Sequence, residues 1–400
     1  MEKSFCIHCG NKMEEGFDFC NNCGKPSSKE VIETKKATQQ QAPKSSIYQK
    51  YRASPKTRIY SGIIIALIVT PIVILSIITS IHVDLGTLEF EVDSFAELNM
   101  DLIIDNSVGI TEIYYDSTIT NLFEATLNVR GKPGADISNA VNFQQVNDTG
   151  KIIVSFDSGD YNSWNWKSLR YNIVMRIHTS ALVDFNIDSS TGTVVLDLEG
   201  YDDLVLKDVQ LIASTGKVQF YSGNSIGTDM GDVRLQVSTG TILYDFVDTI
   251  NTTMTDFWSY SSTGSQKIYF GERTTIDDIS ATLTASTGNI EIHINEMLYI
   301  YNFTWDIEVS TGRVDVFIDQ IIVSENTTVD FDILASTGTI EINYDIDTDI
   351  GIRIIAATST GSINIPGSGT FYEYEGYSTS SNKYNFNLET STGNIRVFEL

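Results

Sequence analysis

The triplet Ser-Thr-Gly recurs nine times between residues 190 and 393, and this repeat limits the folds open to the 400-residue chain more than any other feature. The triplets are evenly spaced from Ser190 to Ser310, and the last three follow at unequal intervals. A fixed period of about 20–50 residues is typical of proteins in which one structural unit stacks on the next. The triplets begin at Ser190, Ser214, Ser238, Ser262, Ser286, Ser310, Ser336, Ser359 and Ser391.

Apolar residues alternate with polar residues on both sides of each triplet, which predicts β-strands with one buried face. The positions two and four residues after each glycine are apolar except at Gln266. The positions three and five residues before each serine are apolar except at Ser259. The inward face therefore shifts by one residue across the triplet, as at a β-corner where glycine adopts a positive φ.

These patterns predict an all-β fold, with a β-solenoid of Ser-Thr-Gly repeats at residues 181–400. Coiling would leave unpaired strand edges only at the two ends of the stack. Residues 84–180 keep the alternation but have only two degenerate motifs, Ser107-Val108-Gly109 and Asp148-Thr149-Gly150. We expect this region to be a β cap or atypical first coils, because solenoids need capped ends.

The segment Ile59–Ile81 contains no charged residue and is long enough to cross a bilayer as a helix. We predict a transmembrane helix at residues 59–83 rather than a buried core helix, which would normally carry a polar stripe. A cleaved signal peptide would start near the N-terminus, whereas this apolar segment begins only at Ile59. Lys and Arg crowd its N-terminal flank, which predicts a cytoplasmic N-terminus and an extracellular C-terminal domain at the cell membrane.

All four cysteines lie before Gly24, as two Cys-x-x-Cys pairs separated by ten residues. Four thiolates suit tetrahedral Zn²⁺, so residues 1–26 are predicted to bind one structural Zn²⁺. A thioredoxin-like redox pair would need a βαβ unit, and a disulfide knot would conflict with a cytoplasmic location. His8 is expected to be a surface residue, and residues 27–58 a flexible basic linker. The predicted ligands are Cys6, Cys9, Cys20 and Cys23.

Two parts of the chain resemble known families. The motif Phe-Cys-x-x-Cys-Gly, present twice, is similar to that of the short zinc-ribbon domains at the N-termini of many prokaryotic membrane proteins. That resemblance implies a closed structural metal site or a protein-contact module. The triplet repeats resemble the β-strand-repeat putative adhesins of bacterial and archaeal envelopes, which implies a β-repeat ectodomain at the cell surface.

The charge distribution excludes some classes of function. The chain has 26 basic and 52 acidic residues, and after Arg58 the counts are 15 and 46. This acidic part lacks the clustered Lys and Arg that phosphate binding needs, so no nucleic-acid partner is expected. After residue 83 the chain contains no cysteine, and its histidines are His178 and His293, which gives nucleophilic catalysis little material. Both histidines are expected to lie in strands, on an outward face, as plain surface residues. A carbohydrate lyase would need Arg or Lys beside Asp, and the basic residues are scattered. We expect the protein not to be an enzyme.

Two further features are candidate sites. Asp345, Asp347 and Asp349 alternate along the sequence, which would place them on one face of a strand as Ca²⁺ ligands, or as a solvated acidic face. Asn-x-Thr sequons are either glycosylation sites or chance matches in an Asn- and Thr-rich chain. The sequons are Asn147, Asn251, Asn302 and Asn326.

The sequence thus predicts a single-pass membrane protein that displays an acidic β-solenoid for adhesion or envelope scaffolding. Its external partner would be a protein or a glycan. The alternative is a transmembrane envelope sensor, whose ectodomain binds a ligand while the zinc ribbon contacts a cytoplasmic protein. A partner that co-purifies through the ribbon would favour the sensor.

Overall fold

The computed structural model describes residues 82–92, 98–133, 137, 141–148, 151–157, 169–223, 225–278, 280–299, 301–320, 326–347, 349–367, 369–374 and 376–400. The chain divides into two compact units, Met1–Val69 and Thr70–Leu400, and these residues belong to the second. Their regular structure consists of β-strands, which confirms the all-β class. They contain no helix able to span a bilayer. The predicted zinc ribbon, linker and transmembrane helix lie outside the described residues.

Eighteen strands make up the described part of the chain. The first six are β1 (Val83–Val92), β2 (Asn99–Tyr115), β3 (Phe123–Gly131), β4 (Asn142–Asp148), β5 (Lys151–Asp157) and β6 (Arg170–Ile177). The next six are β7 (Leu182–Asp197), β8 (Val209–Tyr221), β9 (Asp229–Asp245), β10 (Thr253–Phe270), β11 (Thr275–Ile276) and β12 (Ser280–Asn295). The last six are β13 (Phe303–Gln320), β14 (Thr328–Ile346), β15 (Ile350–Thr360), β16 (Ile363–Asn364), β17 (Phe371–Glu373) and β18 (Asn382–Glu399).

The Ser-Thr-Gly strands pair in parallel, each in the register of its triplet. From β7 through β8, β9, β10, β12 and β13 to β14, the triplet threonine and glycine of one strand lie opposite those of the next. Each of these long strands continues through its triplet without interruption. The repeat length in the sequence is therefore the number of residues that separates two paired positions on neighbouring strands.

The triplet glycine has a steric role that no other residue can fill. Gly288 has φ +142°, and a Cβ added there would lie 1.6 Å from the carbonyl oxygen of Gly264 on the neighbouring strand. The other triplet glycines have φ between +142° and +154° and similar close contacts with backbone. The predicted positive-φ corner is confirmed, and backbone crowding explains why glycine recurs in every repeat.

The core lies on the predicted inward faces of the strands. The inward positions before and after each triplet are buried, and only Ile363 among them is partly exposed. Large aromatic side chains fill the middle of the core. The fully buried ring of Trp305 lies 5.4 Å from that of Phe270 and 6.2 Å from that of Phe331, centroid to centroid. Burial of each such side chain stabilises the fold by about 1.5–3 kcal/mol.

Gln266 occupies an inward position that is apolar in the other repeats, and it is fully buried. Its Oε1 accepts a hydrogen bond from the Ser259 hydroxyl at 2.7 Å. Its Nε2 donates to the Ser261 hydroxyl at 3.0 Å and to the Thr284 carbonyl at 2.7 Å. The two polar exceptions in the sequence pattern, Ser259 and Gln266, are therefore partners within one repeat, as a buried polar group requires.

The C-terminal repeats do not stack in chain order. Strand β18 pairs in parallel with β14 on one side and with β15 on the other, so the last strand of the chain is inserted between them. Asn385 and Asn387 of β18 donate to the carboxylates of Asp330 and Asp332 of β14, each at 2.7 Å. Beyond β15 lies the short antiparallel strand β17. The unequal spacing of the last triplets reflects this insertion.

At the other end of the stack, β2 pairs in parallel with β7 and brings Gly109 opposite Gly192. Gly109 has φ +147°, so Ser107-Val108-Gly109 is a true corner. Strands β5 and β6 pair with the two halves of β2. Asp148 of β4 lies opposite Lys151 of β5 in an antiparallel pair, and Thr149 and Gly150 of the second degenerate motif lie outside the described residues. Antiparallel strands β3 and β1 continue from β6.

Candidate functional site

The outward faces of β8, β9 and β10 form a groove of about 340 Å³, which we call the Trp258 groove. Parallel pairing in register places Gln210, Arg234 and Trp258 side by side across the three strands. Because strand residues two apart share a face, a second row runs beside the first, from Ile212 through Gln236 to Tyr260. The groove is lined by Gln210, Ile212, Arg234, Gln236, Asp256 and Trp258.

Trp258 gives the groove an aromatic wall. Its ring and that of Tyr260 are stacked, with an interplanar angle of 9° and centroids 5.8 Å apart. The Tyr260 hydroxyl is within 2.9 Å of the Ser262 hydroxyl in the triplet of the same strand. Hydrogen bonds with Ser262 and Ser286 lower the pKa of Tyr260 below its ordinary value. The two side chains are partly exposed.

Polar side chains occupy the rest of the groove. Gln210 donates a long hydrogen bond of 3.4 Å to Asn186, and Arg234 donates to Asp232 at 3.2 Å. In the part of the chain that the structure describes, the Gln236 amide has no hydrogen-bond partner. Binding sites for small molecules commonly combine an apolar wall with a few oriented polar groups, as here.

Carboxylates line up across the strands beside the groove and form an acidic column, defined as Asp101, Asp184, Asp208, Asp232 and Asp256. Asp101 lies opposite Asp184, and Asp232 opposite Asp256. Burial, followed by the charges of Asp101 and Asp208, raises the pKa of Asp184 above its ordinary value of 3.8. Burial also raises the pKa of Asp256, with Asp278 and Asp232 adding to the effect. The field at this face therefore disfavours anions.

His293 lies in a ladder of stacked rings on the other outward face. Its ring lies 4.5 Å from that of Tyr269 and 4.4 Å from that of Phe317. Its Nε2 is 3.1 Å from the Glu291 carboxylate. This carboxylate also accepts a hydrogen bond from the Tyr269 hydroxyl and forms an ion pair with Lys267. His293 is thus on an outward face as predicted, but it is part of an aromatic and charged network rather than a plain surface residue.

His178 is not in a strand, contrary to the sequence prediction. It follows the end of β6 and lies in a turn, where its Nδ1 is 2.8 Å from the Ser180 hydroxyl and accepts a hydrogen bond from the Ser180 N–H. This is a local turn contact between residues two apart. Such a contact satisfies turn geometry and does not by itself indicate a nucleophile and its base.

The three aspartates expected to share a strand face, as Ca²⁺ ligands or as a solvated acidic face, do not share one. Asp345 lies in β14, whereas Asp347 and Asp349 follow the end of that strand at Ile346. The Asp347 carboxylate accepts a hydrogen bond from the Asp349 N–H at 3.0 Å. The prediction failed because a turn interrupts the alternation that the sequence pattern continues. Among the described residues, no group of three or more potential ligands has the spacing to hold a metal ion.

The sequons lie in three kinds of place. Asn147 is in β4. Asn251 and Asn326 are exposed and have φ +57° and +64°, as is common for Asn in turns. Asn302 is exposed, and its Oδ1 accepts a hydrogen bond from the Thr328 N–H at 2.9 Å. Exposure makes the last three accessible to modification. The predicted zinc ligands Cys6, Cys9, Cys20 and Cys23 lie outside the described residues.

Sequence reasoning missed the Trp258 groove, although a signal for it was present. Trp258 stands four residues before its triplet serine, a position that alternation assigns to the outward face. The equivalent residues of neighbouring repeats are polar, namely Asn186, Gln210, Arg234, Thr282 and Asp306. A tryptophan in an outward column that is polar in the neighbouring repeats departs from what a solvated sheet face needs, and an exposed aromatic of this kind is a signal for binding.

No protein-family model matches the chain, and no curated protein matches it. Three solved structures are similar over most of their length. A putative cell adhesion protein from Clostridium sporogenes is 11% identical, with 79% of this chain and 99% of that chain covered and a TM-score of 0.22. A putative adhesin from Bacteroides fragilis is 12% identical, with 80% of this chain and 98% of that chain covered and a TM-score of 0.32. A putative adhesin from Parabacteroides merdae is 11% identical, with 78% of this chain and 95% of that chain covered and a TM-score of 0.34. These values do not place the chain in a family.

Proposed function

We propose that this protein is a single-pass membrane protein whose β-strand part is an extracellular β-solenoid that binds partners in adhesion. The observation that carries the proposal is the in-register parallel stack, which presents continuous outward sheet faces with a partly exposed aromatic groove. A stack of hydrogen-bonded repeats holds such surfaces rigidly, as extended binding proteins built from repeats do. The charge asymmetry around residues 59–83 supports an anchor with its N-terminus in the cytoplasm.

Adhesion is tested with cells that display the full chain, compared with matched cells that express a chain ending at residue 83. The full chain should increase retention on a cell layer, and external protease should remove both the retention and the β-strand part. The proposal is wrong if the two cell lines are retained equally. It is also wrong if protease on intact cells digests the N-terminal segment and spares the β-strand part.

The proposed cytoplasmic segment would hold one structural Zn²⁺ through Cys6, Cys9, Cys20 and Cys23. Its support is the doubled Cys-x-x-Cys spacing, since four thiolates complete a tetrahedral site. The full chain purified under reducing conditions should contain about one zinc per molecule. Replacing all four cysteines with serine should abolish this zinc and leave the β-strand part folded. Zinc content that is unchanged in the four-serine variant would contradict the assignment.

A further inference from the structure

The aromatic wall of the Trp258 groove has the shape of a stacking platform. The rings of Trp258 and Tyr260 are stacked along one strand, both side chains are partly exposed on the outward face, and Trp258 lines the groove. An exposed pair of this kind leaves apolar area in water, and a flat apolar ligand face would cover it. Pyranose rings have such faces, because axial C–H groups cover the faces of the ring while equatorial hydroxyls project around its rim.

The polar side chains around the aromatic platform can form hydrogen bonds with the hydroxyls at the rim of a pyranose ring. The amides of Gln210 and Gln236 each offer donors and an acceptor, Arg234 offers donors, and Asp256 offers acceptors. A sugar hydroxyl is both a donor and an acceptor, so adjacent hydroxyls can pair with such a mixed set. Gln236 is the clearest case, since among the residues that the structure describes it has no partner of its own.

The negative charge of the neighbouring strands favours neutral saccharides over anionic ones. Asp256 of the acidic column lines the groove and Asp208 and Asp232 lie beside it, and burial already raises the pKa of Asp256. A uronate, sialate or phosphate would meet like charges there, which costs free energy. A proline-rich peptide could stack on the rings, but it carries few hydroxyl or N–H groups for the two amides and the guanidinium.

From this geometry we infer that the Trp258 groove binds a neutral saccharide, with a sugar ring stacked on the Trp258 indole and its hydroxyls held by Gln236 and Gln210. The inference deepens the proposed adhesive function, because it rests on that function and names the chemical class of the partner. It concerns the purified protein and can be tested without reference to cell retention.

The experiment is isothermal titration of the full chain, purified in detergent, with neutral oligosaccharides of glucose, galactose, mannose and N-acetylglucosamine. Sialylated oligosaccharides and a proline-rich peptide serve as competing probes. Trp258→Ala removes the platform, Gln236→Ala removes the unpartnered amide, and Trp258→Phe keeps a ring. The control is Glu308→Gln, an exposed outward position on β13 that is not in the groove. Circular dichroism checks that every variant is folded.

At least one neutral oligosaccharide should bind the native chain. Its affinity should fall by at least about tenfold in Trp258→Ala, equivalent to about 1.4 kcal/mol, and less in Trp258→Phe. Glu308→Gln should bind like the native chain. The inference is overturned if no neutral oligosaccharide binds, if Trp258→Ala binds normally, or if only the sialylated probe or the peptide binds. If saccharide binding depends on Trp258 while cell retention is absent, this inference holds and the adhesive function fails.

Discussion

At the scale of single residues, the triplet glycine gives the sharpest prediction. Gly288→Ala should destabilise the protein by about 3 kcal/mol or more, because strain at a positive φ adds to a clash with fixed backbone. Gly200→Ala is the matched control. Gly200 also has a positive φ, of +83°, but no atom lies within 4 Å of the place that an added Cβ would take. This variant should lose only about 1–2 kcal/mol. Urea unfolding of the full chain measures both, and equal losses would contradict the packing explanation.

The buried Gln266 network gives a second prediction at this scale. Gln266→Ile alone should cost about 1–3 kcal/mol, since it leaves the hydroxyls of Ser259 and Ser261 buried without their partner. Adding Ser259→Leu restores the apolar pattern of the other repeats and should recover much of that loss. A double-mutant cycle measured by urea unfolding gives the coupling between the two positions. Additive effects of the two changes would show that the network is not a unit.

The residue scale also shows what a pattern in sequence can predict. Alternation identified the buried positions because burial of one sheet face imposes a period of two on every strand. It could mark Gln266 and Ser259 only as exceptions, since their mutual hydrogen bond depends on side-chain geometry across the corner. Trp258 was missed for the same reason. Its column is outward in every repeat, and the groove that Trp258 lines becomes visible only when the neighbouring strands are placed beside it.

At the scale of strands, the outward charged groups should make stability depend on pH in two opposite ways. The pKa of Asp184 is raised, so its favourable contribution is complete below the unfolded value near 3.8 and is lost as the pH rises through the folded pKa. Asp184→Asn should therefore stabilise the protein near neutral pH. The gain should disappear below pH 3.8. Urea midpoints measured across this range test the sign, and a loss of stability at neutral pH would contradict it.

Glu291 gives the corresponding prediction, in which stability depends on pH in the opposite direction. Burial acts to raise its pKa, but hydrogen bonds from Lys267, His293 and Tyr269 together hold the pKa below its ordinary value of 4.5. Its contribution is present above 4.5 and is lost as the pH falls through the folded pKa. Glu291→Gln should cost about 0.2–1 kcal/mol near neutral pH, since the ion pair is partly exposed. The difference between variant and native midpoints should narrow in acid. If the difference between the two midpoints did not change with pH, the charge of Glu291 would not be its cause.

At the scale of the whole molecule, the inserted strand β18 controls the end of the stack. A chain ending at Ser381 lacks this strand, so β14 loses a parallel partner and β15 loses its long parallel pairing. Hydrogen exchange should rise throughout β15 and along β14, whereas β8 and β9 should keep their protection. The comparison is between the full and the shortened chain under the same conditions. Protection of β15 that survives the deletion would contradict the insertion.

The sequence predicted the stacking of the repeats but not this order. A constant interval between triplets implies that equivalent residues lie opposite one another, and they do. The unequal intervals near the C-terminus marked the last repeats as irregular without saying which strand is outermost. That choice depends on the pairing of β18 with β14 over nearly its full length, including the two Asn–Asp hydrogen bonds. Such long-range pairing has no local signature in the chain.

The position of β18 also affects the order in which the strands can pair during synthesis. Synthesis proceeds from the N-terminus, so each repeat from β7 to β14 can dock on a neighbour that the ribosome has already made. Strand β15 emerges next, yet its native neighbour β18 is translated later. Until β18 has been translated, β14 presents an open edge of backbone N–H and C=O groups, the kind of edge that recruits other chains. A product that stops before β18 keeps that edge, and the residues of β18 therefore decide whether the edge of β14 is covered.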